Sequence, residues 1–281
     1  MLAEYEQSPL LNYALGPGVR AFSTTRVSPF SPSEKDLAKM GAYAAFNVTH
    51  YCKDDSERVA RNRKWLCDTL GIARNALIIP RQVHGAEVFC VGQDFLHATE
   101  LEKKELLEGK DALVTNLKNV CIGVSTADCI PILMYDPKHS VVAAVHAGWR
   151  GTLQRIALMA LKVMGERFHT MPEDVHAVLG PGISSAAFEV GEEVVEAFAD
   201  AGFNLSNLVS RRPPLSRNSE KQKPHIDLWA ANAGVLEDAG VPLRQIQVCG
   251  ICSYTNVDTF FSARRLGIFS GRTFSGILLR G

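Results

Sequence analysis

Residues Val120–Gly151 read VCIGVSTADCIPILMYDPKHSVVAAVHAGWRG. Val120–Ser125, Ile130–Tyr135 and Val141–His146 are almost continuously apolar, without the polar residue at every second position that a half-exposed strand shows. Such runs predict strands covered on both faces. Asp136-Pro137-Lys138-His139 supplies the turn between the last two. Upstream, Ala112–Thr115 reads as a further strand; downstream, Thr152–Phe168 reads as one amphipathic helix, Val175–Leu179 as a buried strand and Val190–Ala201 as a helix. Further out, Ala21–Thr25, Ala76–Ile79 and Glu87–Val91 are β-rich, and Leu101–Lys110 is charged and helical or irregular. A helix capped by Asp54 or Ser56 carries Val59, Trp65, Leu66 and Leu70 on one face and ends at Gly71. A helix in Ile226–Ala239 and strands at Gln245–Val248 and Ser275–Leu279 complete the pattern. The class is α/β with a mixed central sheet. The polar stretch Arg211–Pro224 (RRPPLSRNSEKQKP) is expected to be a loop interrupting a single domain.

The 281 residues are 46% hydrophobic and 21% charged, enough to bury a sizeable core, so disorder is excluded as the default. Thirty Lys+Arg balance thirty Asp+Glu, which leaves no general charge case for nucleic acid or an anionic membrane as partner. A small or neutral substrate fits better. No apolar run approaches the roughly 20 residues of a membrane span. Met1–Gln7 carries Glu4 and Glu6 instead of a basic, then apolar, leader, so a cytosolic location is expected. Seven cysteines in a chain of this length argue against a disulfide framework. Cys67, Cys90 and Cys121 sit in apolar stretches and are read as small buried hydrophobes. Cys249-Gly250-Ile251-Cys252 lacks the second CxxC of a zinc ribbon and follows a late strand, so no redox or metal role is assigned to it. Gly180-Pro181-Gly182 is read as a tight strand-end turn.

Three segments place a soft or borderline metal ligand at a strand end beside small residues. They are Gln82-Val83-His84-Gly85, Thr126-Ala127-Asp128-Cys129 and Val145-His146-Ala147-Gly148-Trp149-Arg150-Gly151. Two imidazoles and a thiolate suit zinc, which keeps a fourth position open when catalytic. The intervals of 45 and 17 residues are not those of a zinc finger, so the fold would have to assemble the site. Asp128 adds a carboxylate, Arg150 a planar donor fork for phosphate or carboxylate, and Gly148 and Gly151 a backbone that can present N–H groups at a helix start.

TADC around Cys129, HAGWRG from His146, QVHG at His84, GPGIS from Gly180 and FFSARR from Phe260 resemble the bacterial YfiH-type family, also called the laccase-domain or polyphenol-oxidase family and similar to mammalian FAMIN. The resemblance runs from about residue 22 to 280. It implies a single domain over 1–281 with a three-layer α/β/α arrangement around a mixed β-sheet, and a zinc site made by His84, Cys129 and His146. It further implies phosphorolysis of adenosine, inosine, guanosine and methylthioadenosine, with some adenosine deamination. Nucleoside and phosphate would then be the small-molecule partners, met by Asn47, Asn62, Arg63, Arg150 and Arg264 in the pocket, with Asp128 beside the reacting centre. Cys252-Ser253 stands where the family often has Cys-Thr, which keeps the hydroxyl.

Two rival chemistries use the same residues. A multicopper oxidase holds its cluster with paired His-x-His motifs, and the histidines at 50, 84, 97, 139, 146, 169, 176 and 225 contain no such pair. A single copper could replace zinc in a two-His, one-Cys set. A Cys-His amide hydrolase, with Cys129 as nucleophile and His84 or His146 as base, fits the residue types equally. Some family members are described as peptidoglycan editing factors that remove a serine from a muramic acid precursor. The sequence leaves this choice open.

Overall fold

The structure, a computed structural model, describes residues 7–214 and 222–281. Its strands are β1 (Leu10–Tyr13), β2 (Val19–Thr24), β3 (Leu77–Ile78), β4 (Val88–Cys90), β5 (Ala112–Thr115), β6 (Cys121–Thr126), β7 (Ile130–Asp136), β8 (Val141–Ala147), β9 (His176–Leu179), β10 (Val209–Arg212), β11 (Lys223–Ile226), β12 (Ile246–Val248) and β13 (Thr273–Leu279). The helices are α1 (Glu34–Met40), α2 (Ser56–Leu70), α3 (Gln93–His97), α4 (Glu100–Leu107), α5 (Trp149–Leu153), α6 (Ile156–Phe168), α7 (Glu192–Asp200), α8 (Leu205–Leu208), α9 (Leu228–Asp238) and α10 (Ala263–Leu266). Among the described residues no helix is long and apolar enough to cross a membrane.

The α/β class holds, with helices packed outside mixed β-structure, and the β layer is itself double. One sheet has the order β12-β9-β7-β8-β5-β4, the other β1-β2-β13-β6-β3, and β10-β11 form a separate two-stranded sheet. The alternation of strand side chains assigns the layers. Ile130, Ile132 and Met134 of β7 and Val141, Ala143 and Val145 of β8 face a core closed by α6, α7 and α9. Their neighbours Leu133, Tyr135, Val142 and Ala144 face the opposite way and meet Ile122, Val124 and Ile277 of the second sheet. The far side of that sheet presents Phe22, Cys121 and Phe274 to Leu66 and Cys67 of α2. Strands between two cores have no wet face, which is why their sequence is apolar throughout. Gly123 and Gly276 are directly paired between β6 and β13. A Cβ at Gly123 would lie 2.3 Å from the Phe274 ring, so the glycine makes room for that aromatic.

Asp136 shapes the β7–β8 turn by accepting from the backbone N–H groups of Lys138 and His139 at 2.8 and 3.1 Å. Three local expectations are corrected. The cap of α2 is Asp55, whose carboxylate accepts from Arg58 N at 2.7 Å; Asp54 instead pairs with the Arg58 guanidinium, and Ser56 is the first helical residue. The helix expected over Thr152–Phe168 is two helices, broken where Arg155 takes a left-handed conformation (φ 54°). Thr152 is tied to Asn232 at 2.9 Å and Gly151 lies against the Gly85 carbonyl, so α5 is fixed to the neighbouring loop while α6 turns to lie along the sheet. The loop expected over Arg211–Pro224 begins and ends as strand, with Arg211 opposite Pro224 and Arg212 opposite Lys223; residues 215–221 lie outside the described residues. Cys67 and Cys121 are buried as expected, whereas Cys90 is half-buried.

Candidate metal centre

His146 is carried on the last turn of pleat of β8, on the face that looks between the sheets, and is 3% exposed. Cys129 sits in the short connection between β6 and β7, behind Asp128, whose φ of 92° turns the chain sharply. His84 lies between β3 and β4, also in a left-handed conformation (φ 65°), and is exposed. Their ligand atoms all lie within 4.8 Å of one another, and among the described residues no other cluster of three such side chains of this kind occurs. The two imidazole rings meet edge to face with centroids 4.8 Å apart. The site therefore grades from buried His146 to exposed His84, which leaves the cluster open to solvent on the His84 side.

Asp111, immediately before β5, organises this set and was not singled out by its sequence context. Its Oδ1 accepts from His146 Nδ1 at 2.7 Å and from the His84 backbone N–H at 3.0 Å. Its Oδ2 accepts from the N–H groups of Gly85 and Val83 at 2.8 and 3.1 Å. One buried carboxylate thus fixes the His146 ring through Nδ1, leaving the other ring nitrogen to Cys129, and holds the strained His84 segment in place. Burial alone would raise the Asp111 pKa; the bonds from His146, Gly85 and Val83 outweigh it and hold the carboxyl below its ordinary value. Burial likewise opposes charge on Cys129, yet the adjoining His146 and His84 imidazoles pull its thiol down to about 6. For His146, burial is outweighed by Cys129 and Asp111, which lift it to about 9. The two shifts share one cause: the imidazole favours the charged sulfur and the sulfur favours the charged imidazole.

A Cβ at Gly148 would lie 3.1 Å from both Cys129 Sγ and His84 Cδ2, tighter than ordinary contact, so the glycine lets the backbone pass close to the cluster. Two imidazole nitrogens, one low-pKa thiolate, a carboxylate orienting the buried histidine and a glycine sparing the space between them together suit a tetrahedral metal with an open position.

The other expected site residues are placed as follows. Asp128 has both carboxylate oxygens engaged, Oδ1 by Ser253 Oγ and Oδ2 by the Arg264 backbone N–H, each at 2.7 Å. Arg264 donates Nη1 to the Glu189 carbonyl at 3.1 Å, and its guanidinium stands over Phe188. Arg150 is exposed and stacks over Trp149, 4.2 Å from the ring centroid. Arg63 spends its fork on the Val48 and Leu77 carbonyls, both at 3.2 Å. Buried Asn47 accepts from Thr49 N and Arg272 N and donates to Asp54, and Asn62 donates to the Asn47 carbonyl. These two asparagines build the loop that reaches the centre indirectly, through Thr49 Oγ1 to Ser125 Oγ at 2.6 Å and Ser125 N to Gln82 Oε1 at 2.8 Å. Cys252 is buried and its sulfur accepts from Ser184 N and Oγ at 3.3 and 3.1 Å.

Comparison with known proteins agrees with this architecture. The chain is 43% identical to a purine nucleoside phosphorylase of Bacteroides thetaiotaomicron, over 92% of this chain and 93% of the relative. It is 44% identical to adenosine deaminase RL5 of an unknown prokaryotic organism, over 92% and 94%. The crystal structure of the Bacillus licheniformis hypothetical protein YfiH superposes with a TM-score of 0.83 at 26% identity, covering 97% of each chain. The family model described as multi-copper polyphenol oxidoreductase laccase matches residues 21–280, and with that span covered the chain belongs to this laccase-like family.

Proposed function

We propose that the chain is a zinc-dependent purine nucleoside phosphorylase that also deaminates adenosine, accepting adenosine, inosine, guanosine and methylthioadenosine. The observation that carries this reading is the His84–Cys129–His146 cluster gripped by Asp111 and left open on one side. The names of the two relatives support the substrate class. When bound, zinc supplies Lewis-acid chemistry and activates water near neutral pH.

The chain's own residues do the rest. Asp111 holds His146 in the tautomer that presents Nε2, and Asp128 acts as a positioning residue that ties the Cys129 turn to Ser253 and α10. Of the candidate arginines, Arg150 has no protein acceptor on its donor fork among the described residues, whereas Arg63 and Arg264 donate to backbone carbonyls. Arg150 is therefore assigned the phosphate, held for in-line attack on the anomeric carbon. A charge-assisted bond of this kind contributes about 1.5–3 kcal/mol. Arg150→Lys is thus expected to lower phosphate-dependent hypoxanthine release from inosine by roughly 10- to 100-fold. Zinc content and ammonia release from adenosine should stay at parent levels. An unchanged phosphate dependence in that variant would remove Arg150 from the role.

One observation favours a second reading. Cys129, His146 and Asp111 stand in the order nucleophile, base and orienting carboxylate, with the thiol already pulled down to about 6. That array would serve an amide hydrolase, including a peptidoglycan editing factor, without metal.

A further inference from the structure

A cavity of about 420 Å³ lies between the 50–51 loop, α2, the approach to β3 and α4. It contains none of the three candidate metal ligands. Its floor is apolar, made by buried Ile78, Phe95 and the flank of Leu107. Its walls carry Arg63, Arg74, Arg81, Lys103 and Lys104 against Glu100 and Glu108. Those two carboxylates are already engaged, Glu100 by Lys103 at 3.0 Å and Glu108 by Arg81 at 3.2 Å. Arg63 bonds only backbone carbonyls, and among the described residues Arg74 and Lys104 have no carboxylate within ion-pair distance. The lining thus carries three more cationic than anionic side chains, in a chain whose net charge is zero.

Size, floor and charge together select the ligand. The volume is in the range of small-molecule sites, about 300–1,000 Å³. A single carboxylate would leave most of the charge unmatched, whereas a phosphate monoester carries roughly 1.5–2 negative charges and three acceptor oxygens. The apolar floor calls for a non-polar or aromatic body attached to that phosphate. We propose that this cavity is a second ligand site, separate from the metal centre, for a phosphate monoester with an aromatic body, of the nucleoside monophosphate class. The cavity abuts the centre through Tyr51, which lines it and donates its hydroxyl to Gln82 Oε1, two residues before His84.

The test is calorimetric titration of the zinc-loaded protein, in phosphate-free buffer, with inosine 5′-monophosphate and with inosine. Inosine is not phosphorolysed without phosphate and carries no amino group to lose. The monophosphate is expected to bind equally well with and without saturating inosine. Arg74→Glu combined with Lys104→Glu should weaken the monophosphate at least tenfold and leave inosine binding unchanged. Both side chains are exposed, and Arg74→Ala with Lys104→Ala gives a milder pair that should weaken binding in the same direction. Displacement of the monophosphate by inosine, equal affinity in parent and charge-reversed chains, or no binding of the monophosphate at millimolar concentration would each overturn the proposal.

Discussion

Cys129→Ala is expected to abolish stoichiometric zinc binding and to lower both inosine phosphorolysis and adenosine deamination by at least about 10²-fold, the scale of losing one preorganised electrostatic stabiliser. With the sulfur gone, two imidazoles remain, one of them on an exposed loop, and two neutral nitrogens do not make a tight zinc site. The fold should survive, because Cys129 is only partly buried and the cores on either side of β7 are built from Ile130, Ile132 and Leu133. Zinc quantification and thermal denaturation on the same preparation check this directly. Full zinc occupancy in Cys129→Ala would contradict the ligand assignment.

Asp111→Ala should be the more damaging change to the whole molecule. It removes the acceptor for four donors at once: the His146 ring nitrogen and the backbone N–H groups of Val83, His84 and Gly85. Leaving a buried donor unsatisfied costs about 1–3 kcal/mol each, and partial relaxation of the loop makes a net loss of roughly 3–5 kcal/mol reasonable. Metal affinity should fall by about 10- to 100-fold, the usual effect of losing the partner of a ligating histidine. Asp111→Asn retains one acceptor oxygen and is expected to recover much of the stability while keeping weakened zinc affinity, since an amide cannot fix the His146 tautomer as a carboxylate does. Competition of the folded Asn variant with a chromogenic chelator separates the two effects; parent-like zinc affinity would show that Asp111 serves only the fold.

The strands of the centre were legible because their environment is uniform. Leu133 and Met134 are equally apolar, and that uniformity announces a doubly covered strand. It also conceals the second sheet: the two residues point into different cores, and hydropathy cannot tell which neighbour each one meets. The three side chains of the candidate metal cluster were legible through their short motifs and glycines. Asp111 was not, being 27 and 35 residues from the histidines it holds and resembling an ordinary pre-strand turn residue. Its one signal is a charge set directly against the wholly buried run Ala112–Thr115. What an arginine within a helix ties together was not legible either: the Arg63 fork joins the carbonyl of Val48 to that of Leu77 in β3. The break at Arg155 leaves no mark at all, because both flanking segments have good helical patterns and the turn is imposed by tertiary contacts of Thr152 and Gly151.

The central claim is that one metal held by His84, Cys129 and His146 serves both nucleoside reactions. The most direct measurement follows both activities and Cys129 alkylation while zinc is removed by a chelator and then restored. A ligating thiolate is protected by its metal, so alkylation should be slow in the zinc-loaded protein and fast after chelation. Phosphorolysis and deamination should disappear together and return together with zinc. Full activity in demonstrably metal-free protein, or an acyl group trapped on Cys129, would contradict the account and establish the cysteine hydrolase instead.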